Sequence, residues 1–315
     1  MTRGTLIYAA QRLVLITVTA VVVSSIVFVG VHQLPGTALI HERDTNPATT
    51  AALMHYYHLD LPWPQQYWLW LTGVVLHGDL GESLVNRGLQ ITPLLIRETQ
   101  VSATLGIAAV LITVIVGMSL GTLAAIRQNT WVDYTASTAA VVGYSVPSFV
   151  WAFLLILLTV GGFYRWTGGL IYEDIGWGKL EQIPVPALAL GLPYAAIVAR
   201  LTRASMLEVI RQDYVRTAWA KGLRSRVVIL RHVLRNALIP VISMLGPLVT
   251  GIITGSVVIE FLFGIPGLGK EFVTSILSRD YNVVIGVFTF YAALVGFANL
   301  VVDLLYPVLD PRIRY

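Results

Sequence analysis

Residues Arg203–Pro240 read RASMLEVIRQDYVRTAWAKGLRSRVVILRHVLRNALIP, the one long polar and basic stretch lying between apolar runs. It carries eight Lys/Arg against two acids, Glu208 and Asp213. Uncharged runs long enough to cross a bilayer flank it on both sides. The whole chain of 315 residues is 56% hydrophobic and only 12% charged, with a mean hydropathy of +0.74. Soluble domains carry about 25% charged residues. The low charge and long apolar runs describe a polytopic membrane protein, and the helix length of those runs gives it an all-α fold class. Cysteine is absent, which excludes a disulfide framework, a thiolate metal site and a thiol nucleophile.

Six uncharged runs qualify as spans against a hydrocarbon core about 30 Å thick: Leu13–Val31, Val101–Ile126, Tyr134–Tyr164, Gln182–Ala199, Asn236–Ile259 and Tyr281–Val302. The first exceeds a signal-peptide core, and no small-x-small cleavage site follows in VHQLPG, so it reads as a retained helix. The fourth is the weakest, being short and carrying Pro184, Pro186 and Pro193; it is expected to start late and to extend past Arg200 toward Ile210. Six spans put both termini on one side. With the tails, Arg127–Asp133 and Arg200–Arg235 inside, 14 of the 21 Lys/Arg are cytoplasmic, which by the positive-inside rule gives N-in, C-in. The segment 32–100 is then extracytoplasmic. Within it, Tyr67–Leu76 is apolar and aromatic but too short to span, and suits the headgroup region.

Gly117–Gly121 and Gly251–Gly255 are small-xxx-small faces that let helix backbones approach, although glycine is also simply commoner in membrane helices. Glu260 and Asp303 lie at or within the edges of spans. There an ionisable group is costly and marks a pathway or gate, or else sits at a watered boundary. Gly264–Lys270 fits the first seven positions of a nucleotide-binding P-loop, but Glu271 stands where a hydroxyl must hold magnesium. The stretch reads instead as a Gly/Pro turn before a short amphipathic helix with Leu268, Phe272, Ile276 and Leu277 on one face. His55 and His58 sit at i, i+3 but lack a thiolate and an obvious third ligand, so no metal site is expected. The chain shows no nucleophile triad and no carboxylate pair.

Inside the basic stretch, Asp213 suits an N-cap for Tyr214–Lys221, and Gly222 suits the left-handed residue that ends a helix. Two turns are marginal in water, so this helix needs a surface. Tyr214, Ala218 and Lys221 fall on one side, with Val215 and Trp219 beside them. Ser225 is placed to cap a second helix toward Leu238, with Arg224, Arg231 and Arg235 on one face. A basic face on anionic lipid accounts for the arginines at about 1 kcal/mol each, but not for the capped helix.

The run DYVRTAWAKGL (213–223) followed by RHVLRNALIP (231–240) resembles the cytoplasmic loop of ABC-importer permeases, in particular the dipeptide/oligopeptide group and its nickel-uptake relatives, B-type subunit. LPG (34–36), YHLDLP (57–62), HGDLGESL (77–84) and VDLLYPVLDPRIR (302–314) agree. Of the general E-A-A-x-x-x-G signature only Ala218 and Gly222 survive, and Pro240 lies later than usual; both departures resemble the peptide group's variant. LPG is followed by Thr37-Ala38 rather than the D-P often found there.

The resemblance implies a type I ABC-importer permease fold in a bacterial cytoplasmic membrane. It divides the chain into a cytoplasmic tail (1–12), a first helix (13–31), an outer segment (32–100), a five-helix core (101–310) with coupling loop 203–235, and a C-tail (311–315). It further implies a non-catalytic subunit, surrounded by lipid and without nucleic acid, that pairs with a second homologous permease, two ATPase subunits and an external solute-binding protein that would meet the outer segment. ATP and magnesium would reside in the ATPase partners. Asp213, Tyr214, Ala218, Ala220, Lys221, Gly222 and Leu223 take the coupling role by resemblance. Peptides are the expected solute; nickel chelates, glutathione and antimicrobial peptides are alternatives within the family, and an ion channel, carrier or receptor lies outside it.

Overall fold

The computed structural model describes residues 3–33, 47–163, 166 and 175–309. Twelve helices account for most of them, and the sole β feature among the described residues is an isolated bridge between Glu82 and Gln90. We number the helices α1 (Arg3–Gln33), α2 (Pro47–Tyr56), α3 (Trp63–His77), α4 (Ile91–Ile126), α5 (Trp131–Ser145), α6 (Ser148–Ile156, continued as a π-helix over Leu157–Phe163), α7 (Pro184–Ile210), α8 (Asp213–Ala220), α9 (225–237, with a π turn over Val228–Leu234), α10 (Ile239–Phe263), α11 (Leu268–Ser278) and α12 (Tyr281–Leu309). The motif at Leu34–Gly36 and the tail from Asp310 lie outside the described residues. The chain forms two compact units: Met1–Ser102 with Pro266–Leu300, and Ala103–Ile265 with Val301–Tyr315.

Five helices are long and apolar enough to cross a membrane, and α5 with α6 forms a pair bent by 105°. The uncharged run from Tyr134 to Tyr164 is thus broken where the composition suggests one helix. Pro147 explains the break. It donates no N–H and drives the preceding residue out of the α region, and Val146 is extended at φ −93, ψ 123. Helix α1 begins at Arg3, so most of the tail expected over 1–12 is already helical, and α4 begins ten residues before the run at Val101.

The second unit is built around α7. This is the run with three prolines, the least span-like by sequence, yet more than half of its most apolar window is buried. Pro184 and Pro186 cost little because a helix's first N–H groups have no intrahelical acceptor in any case. Only Pro193 interrupts the interior of the helix. The helix reaches Ile210, as expected.

Its buried side chains are mostly small, among them Ala187, Ala189, Gly191, Ala195, Ala196 and Ala199, and neighbours come correspondingly close. A Cβ on Gly117 of α4 would lie 2.7 Å from the Ala195 carbonyl oxygen and 2.7 Å from Val198 Cβ; one on Gly121 would collide with the Ala199 carbonyl. Thr113 Oγ1 donates to the Gly191 carbonyl at 3.1 Å, joining the same two helices. From α10, Gly251 opens room for the Tyr194 ring, with a would-be Cβ 2.7 Å from its hydroxyl, and Gly255 sits against Leu190 at 3.3 Å.

In the first unit the buried carboxylate of Asp280 stitches the loop 83–85 to the start of α12. It accepts from Ser83 Oγ, from the Leu84 and Val85 amides at 3.1 and 3.2 Å, and from the Val283 amide at 3.3 Å. Four donors make a buried carboxylate tolerable. Around it pack Phe28, Val31, Leu84, Tyr281 and Ile285, and next to them Leu80, Ile91, Leu95 and Leu268.

The Gly264 stretch is a helix end, with Gly264 left-handed at φ 67. The first amide of α11, Leu268, donates to Ser102 Oγ at 2.9 Å. The apolar face expected on α11 is only half right. Leu268 and Ser275 are buried and the Phe272 ring packs tilted against Phe288, but Ile276 and Leu277 are exposed. At about 100° per residue Leu277 lies half a turn from Leu268.

Gly117→Val places a branched side chain on the Ala195 backbone, and overpacking of this kind costs about 1–3 kcal/mol or more. Gly30 of α1 has open space around its would-be Cβ, so Gly30→Ala is neutral or slightly stabilising. Thermal unfolding in detergent is expected to separate the two variants by several degrees in Tm.

Candidate functional site

The basic stretch folds as the end of α7, then α8 and α9. Helix α8 is two turns long. Its N-cap position belongs to Gln212 (φ −71, ψ 147), and no side chain caps it. Asp213, expected as the cap, is the first helical residue, with its carboxylate 3.5 Å from Arg216. Both side chains are exposed, so the pair contributes little. An acid in the first turn still favours the helix dipole. Likewise Arg224, not Ser225, holds the N-cap position of α9.

The C-terminal end follows the glycine reading. Gly222 takes φ +71, its amide donates to Trp219 O at 2.9 Å, and the Leu223 amide reaches Ala218 O at 3.4 Å.

So short a helix holds together through what it sits on. Val215 and Ala218 are buried in a cluster with Ala125, Met206, Val228, Val233 and Ala237. Asn236 Nδ2 donates to the Tyr214 hydroxyl at 2.8 Å, tying α8 to α9. The expected grouping of Tyr214, Ala218 and Lys221 is therefore divided. Ala218 faces the supporting cluster, whereas Asp213, Tyr214, Ala220, Lys221, Gly222 and Leu223 are exposed. Trp219, which the sequence placed only beside this set, is exposed as well, at 43%. The outward side of α8 thus presents Tyr214, Trp219 and Leu223 next to Lys221, an apolar patch in a cationic loop.

Seven of the eight basic residues in the stretch, from Arg211 to Arg235, are exposed. The eighth behaves differently. Arg203 lies within α7 and binds Asp133 of α5 in bidentate fashion, Nε to Oδ1 at 2.6 Å and Nη2 to Oδ2 at 2.7 Å. Asp133 is buried and also accepts from the Asn129 amide at 3.0 Å and Ser137 Oγ at 3.3 Å. The sequence counted Arg203 with the surface charges. Its acid stands 70 positions away, so no local pattern announced the pair.

Glu260 is fully buried in the last turn of α10, and Asp303 is half-buried in α12. Gly117, Gly121, Gly251 and Gly255 lie at the helix crossings described above. His55 Nδ1 meets Asp60 Oδ2 at 2.9 Å, and this hydrogen bond holds the Asp60 carboxyl below its ordinary range. His58 ends its helix with φ 57. Among the described residues no group of three or more His, Asp or Glu is placed to hold a metal.

Long apolar helices crossing at small residues describe a multi-pass membrane protein. Residues 117–315 match the family described as binding-protein-dependent transport system inner membrane component, and the chain belongs to that family. It is 42% identical over 308 residues to the dipeptide transport system permease protein DppB of Bacillus subtilis (strain 168), covering 98% of this chain and 97% of that one. It is 41% identical over 299 residues to the oligopeptide transport system permease protein OppB of Escherichia coli (strain K12), covering 94% and 95%.

Among solved structures, one titled as inward-facing conformations of the MetNI methionine ABC transporter matches with a TM-score of 0.56 at 16% identity, covering 70% of this chain and 98% of that one. A crystal structure of an amino acid ABC transporter with histidines matches at 0.52 and 18% identity, covering 70% and 95%. At such identities the likeness shows the fold alone, which the chain shares with these ABC transporters. The protein is a multi-pass component of the bacterial inner membrane.

Arg203→Ala strips the partner from the buried Asp133 carboxylate, a change that costs up to about 3–5 kcal/mol. The Arg203 side chain is 31% exposed, so Asp133→Ala is expected to cost less, and the double variant less than the sum. A double-mutant cycle on thermal unfolding measures the coupling.

Proposed function

We propose that the chain is a permease subunit of an ATP-driven importer and forms half of a translocation pathway for di- and oligopeptides. Six spans with both termini cytoplasmic, the α5–α6 pair being the third, carry most of the basic residues to the inside, as membrane insertion favours. A second homologous permease completes the pathway. Two ATPase subunits supply hydrolysis with ATP and magnesium, an external binding protein delivers solute to the segment 32–100, and this chain performs no chemistry itself. Peptide, rather than nickel chelate or glutathione, is favoured by two near-full-length relatives at 42% and 41% identity whose names specify dipeptide and oligopeptide transport.

The observation that carries this reading is the construction of α8. One side, Val215 and Ala218, is buried in the chain's own core, while Tyr214, Trp219, Lys221 and Leu223 face outward. A helix so anchored transmits displacement. When the ATPase pair closes, a cleft gripping the outward side moves α8, and the shared cluster passes the motion to α7 and α9. Glu260 and Asp303 are candidate pathway or gate residues on α10 and α12.

Ala220 is exposed, so Ala220→Trp adds bulk outward without disturbing the supporting cluster. Together with Gly222→Trp it is expected to abolish peptide uptake in the assembled transporter while membrane insertion persists. Gly222→Trp carries an additional strain of about 1–2 kcal/mol from its left-handed backbone. Uptake in vesicles and ATPase stimulation by the solute-loaded binding protein are the readouts. Normal uptake by Ala220→Trp overturns the coupling assignment.

A further inference from the structure

The first unit contains a cavity of about 450 Å³ among α1, α3, the loop 78–90 and the start of α12. Its size falls in the range of small-ligand sites, about 300–1,000 Å³. Its walls combine two chemistries. The rings of Phe28, Tyr56, Trp70 and Tyr281 line it, and so do two carboxylates, Asp79 and Glu82. Among the described residues that line it there is no Lys or Arg.

Both carboxylates are oriented by neutral donors. Glu82 accepts from the Tyr56 hydroxyl at 3.3 Å and, through its other oxygen, from Gln90 Nε2 at 2.5 Å. Asp79 accepts from the Gly81 amide at 2.9 Å. The ring positions are also held: Trp70 Nε1 donates to Leu80 O at 3.2 Å, and Tyr57 Oη to Ser83 O at 3.3 Å. The field at this wall shows in Tyr57, whose hydroxyl is pushed above its ordinary pKa first by burial and then by Glu82, with Arg87 acting in the opposite sense.

We propose that this cavity binds a primary ammonium group on a compact organic ligand, with Glu82 and Asp79 taking the charge and the aromatic walls taking its carbon frame. Carboxylates supply charge-assisted hydrogen bonds to an ammonium, and ring faces attract the same cation through their quadrupoles. Two histidines, His32 and His58, also line it, but an anionic ligand would face both carboxylates and no Lys or Arg among the described walls. The site is distinct from the loop helix α8, and it stands whether or not the importer reading holds, because its test measures equilibrium binding and not uptake.

The probe is alanyl-alanine amide, which carries one ammonium and no carboxylate, against N-acetyl-alanyl-alanine amide, of similar frame and without charge. Calorimetry on the full chain in lipid nanodiscs is expected to show saturable binding of the first, with the acetylated compound weaker by about tenfold or more. Glu82→Gln and Asp79→Asn are each expected to weaken the charged probe by a similar factor while Tm holds. Should Glu82→Gln fail to fold, Asp79→Asn carries the same expectation alone. Equal affinity for the two probes, absence of saturation, or unchanged binding in the folded variants overturns the proposal.

Discussion

A membrane helix cannot gain by hiding apolar surface from its neighbours, since lipid is as apolar as they are; it gains by close approach and by satisfied polar groups. That constraint organises the second unit around α7. Its small side chains let α4 come in at Gly117 and Gly121 until backbone meets backbone, and α10 opens at Gly251 for the Tyr194 ring. Each contact is weak, of order 0.1–0.2 kcal/mol per atom pair, and only close packing accumulates many of them. A single β-carbon in the wrong place undoes a row of them.

The polar features follow the same logic. Arg203 enters the packed region and is accommodated because Asp133 receives it with two hydrogen bonds, Asp133 in turn being held by Asn129 and Ser137. At the end of α7 the chain leaves the packed region, and α8 survives as two turns only because Val215 and Ala218 share a core with Met206 of α7 and Val233 of α9. Helix α8 is therefore packed continuously with the central helix. In the first unit, Asp280 serves a comparable purpose by joining loop and helix start through one buried carboxylate.

Much of the architecture was readable because composition answers to solvent. Long uncharged runs form the long apolar helices, and Gly222 announces a helix end since few other residues adopt its backbone. The break at Pro147 was readable in principle from the proline but hidden by an unbroken run of apolar residues. Asp213 looked like a cap because capping residues and first-turn acids share one preference, and only the backbone angles of Gln212 separate the two. Ile276 and Leu277 misled through composition, apolar yet on the wrong azimuth.

The sequence by itself determined the class of protein, its apolar runs, the basic loop and the family likeness, because hydropathy, charge and local backbone preference act over a few residues and need no knowledge of neighbours. Tertiary structure alone decided that the proline-rich run is the central helix. It also decided that Ala218 faces inward while Trp219 faces out, that the half-buried Arg203 is the partner of the buried Asp133, and that aromatic rings and two carboxylates from distant segments share one cavity. Those facts depend on which surfaces meet across tens to hundreds of residues, and no local pattern encodes that meeting.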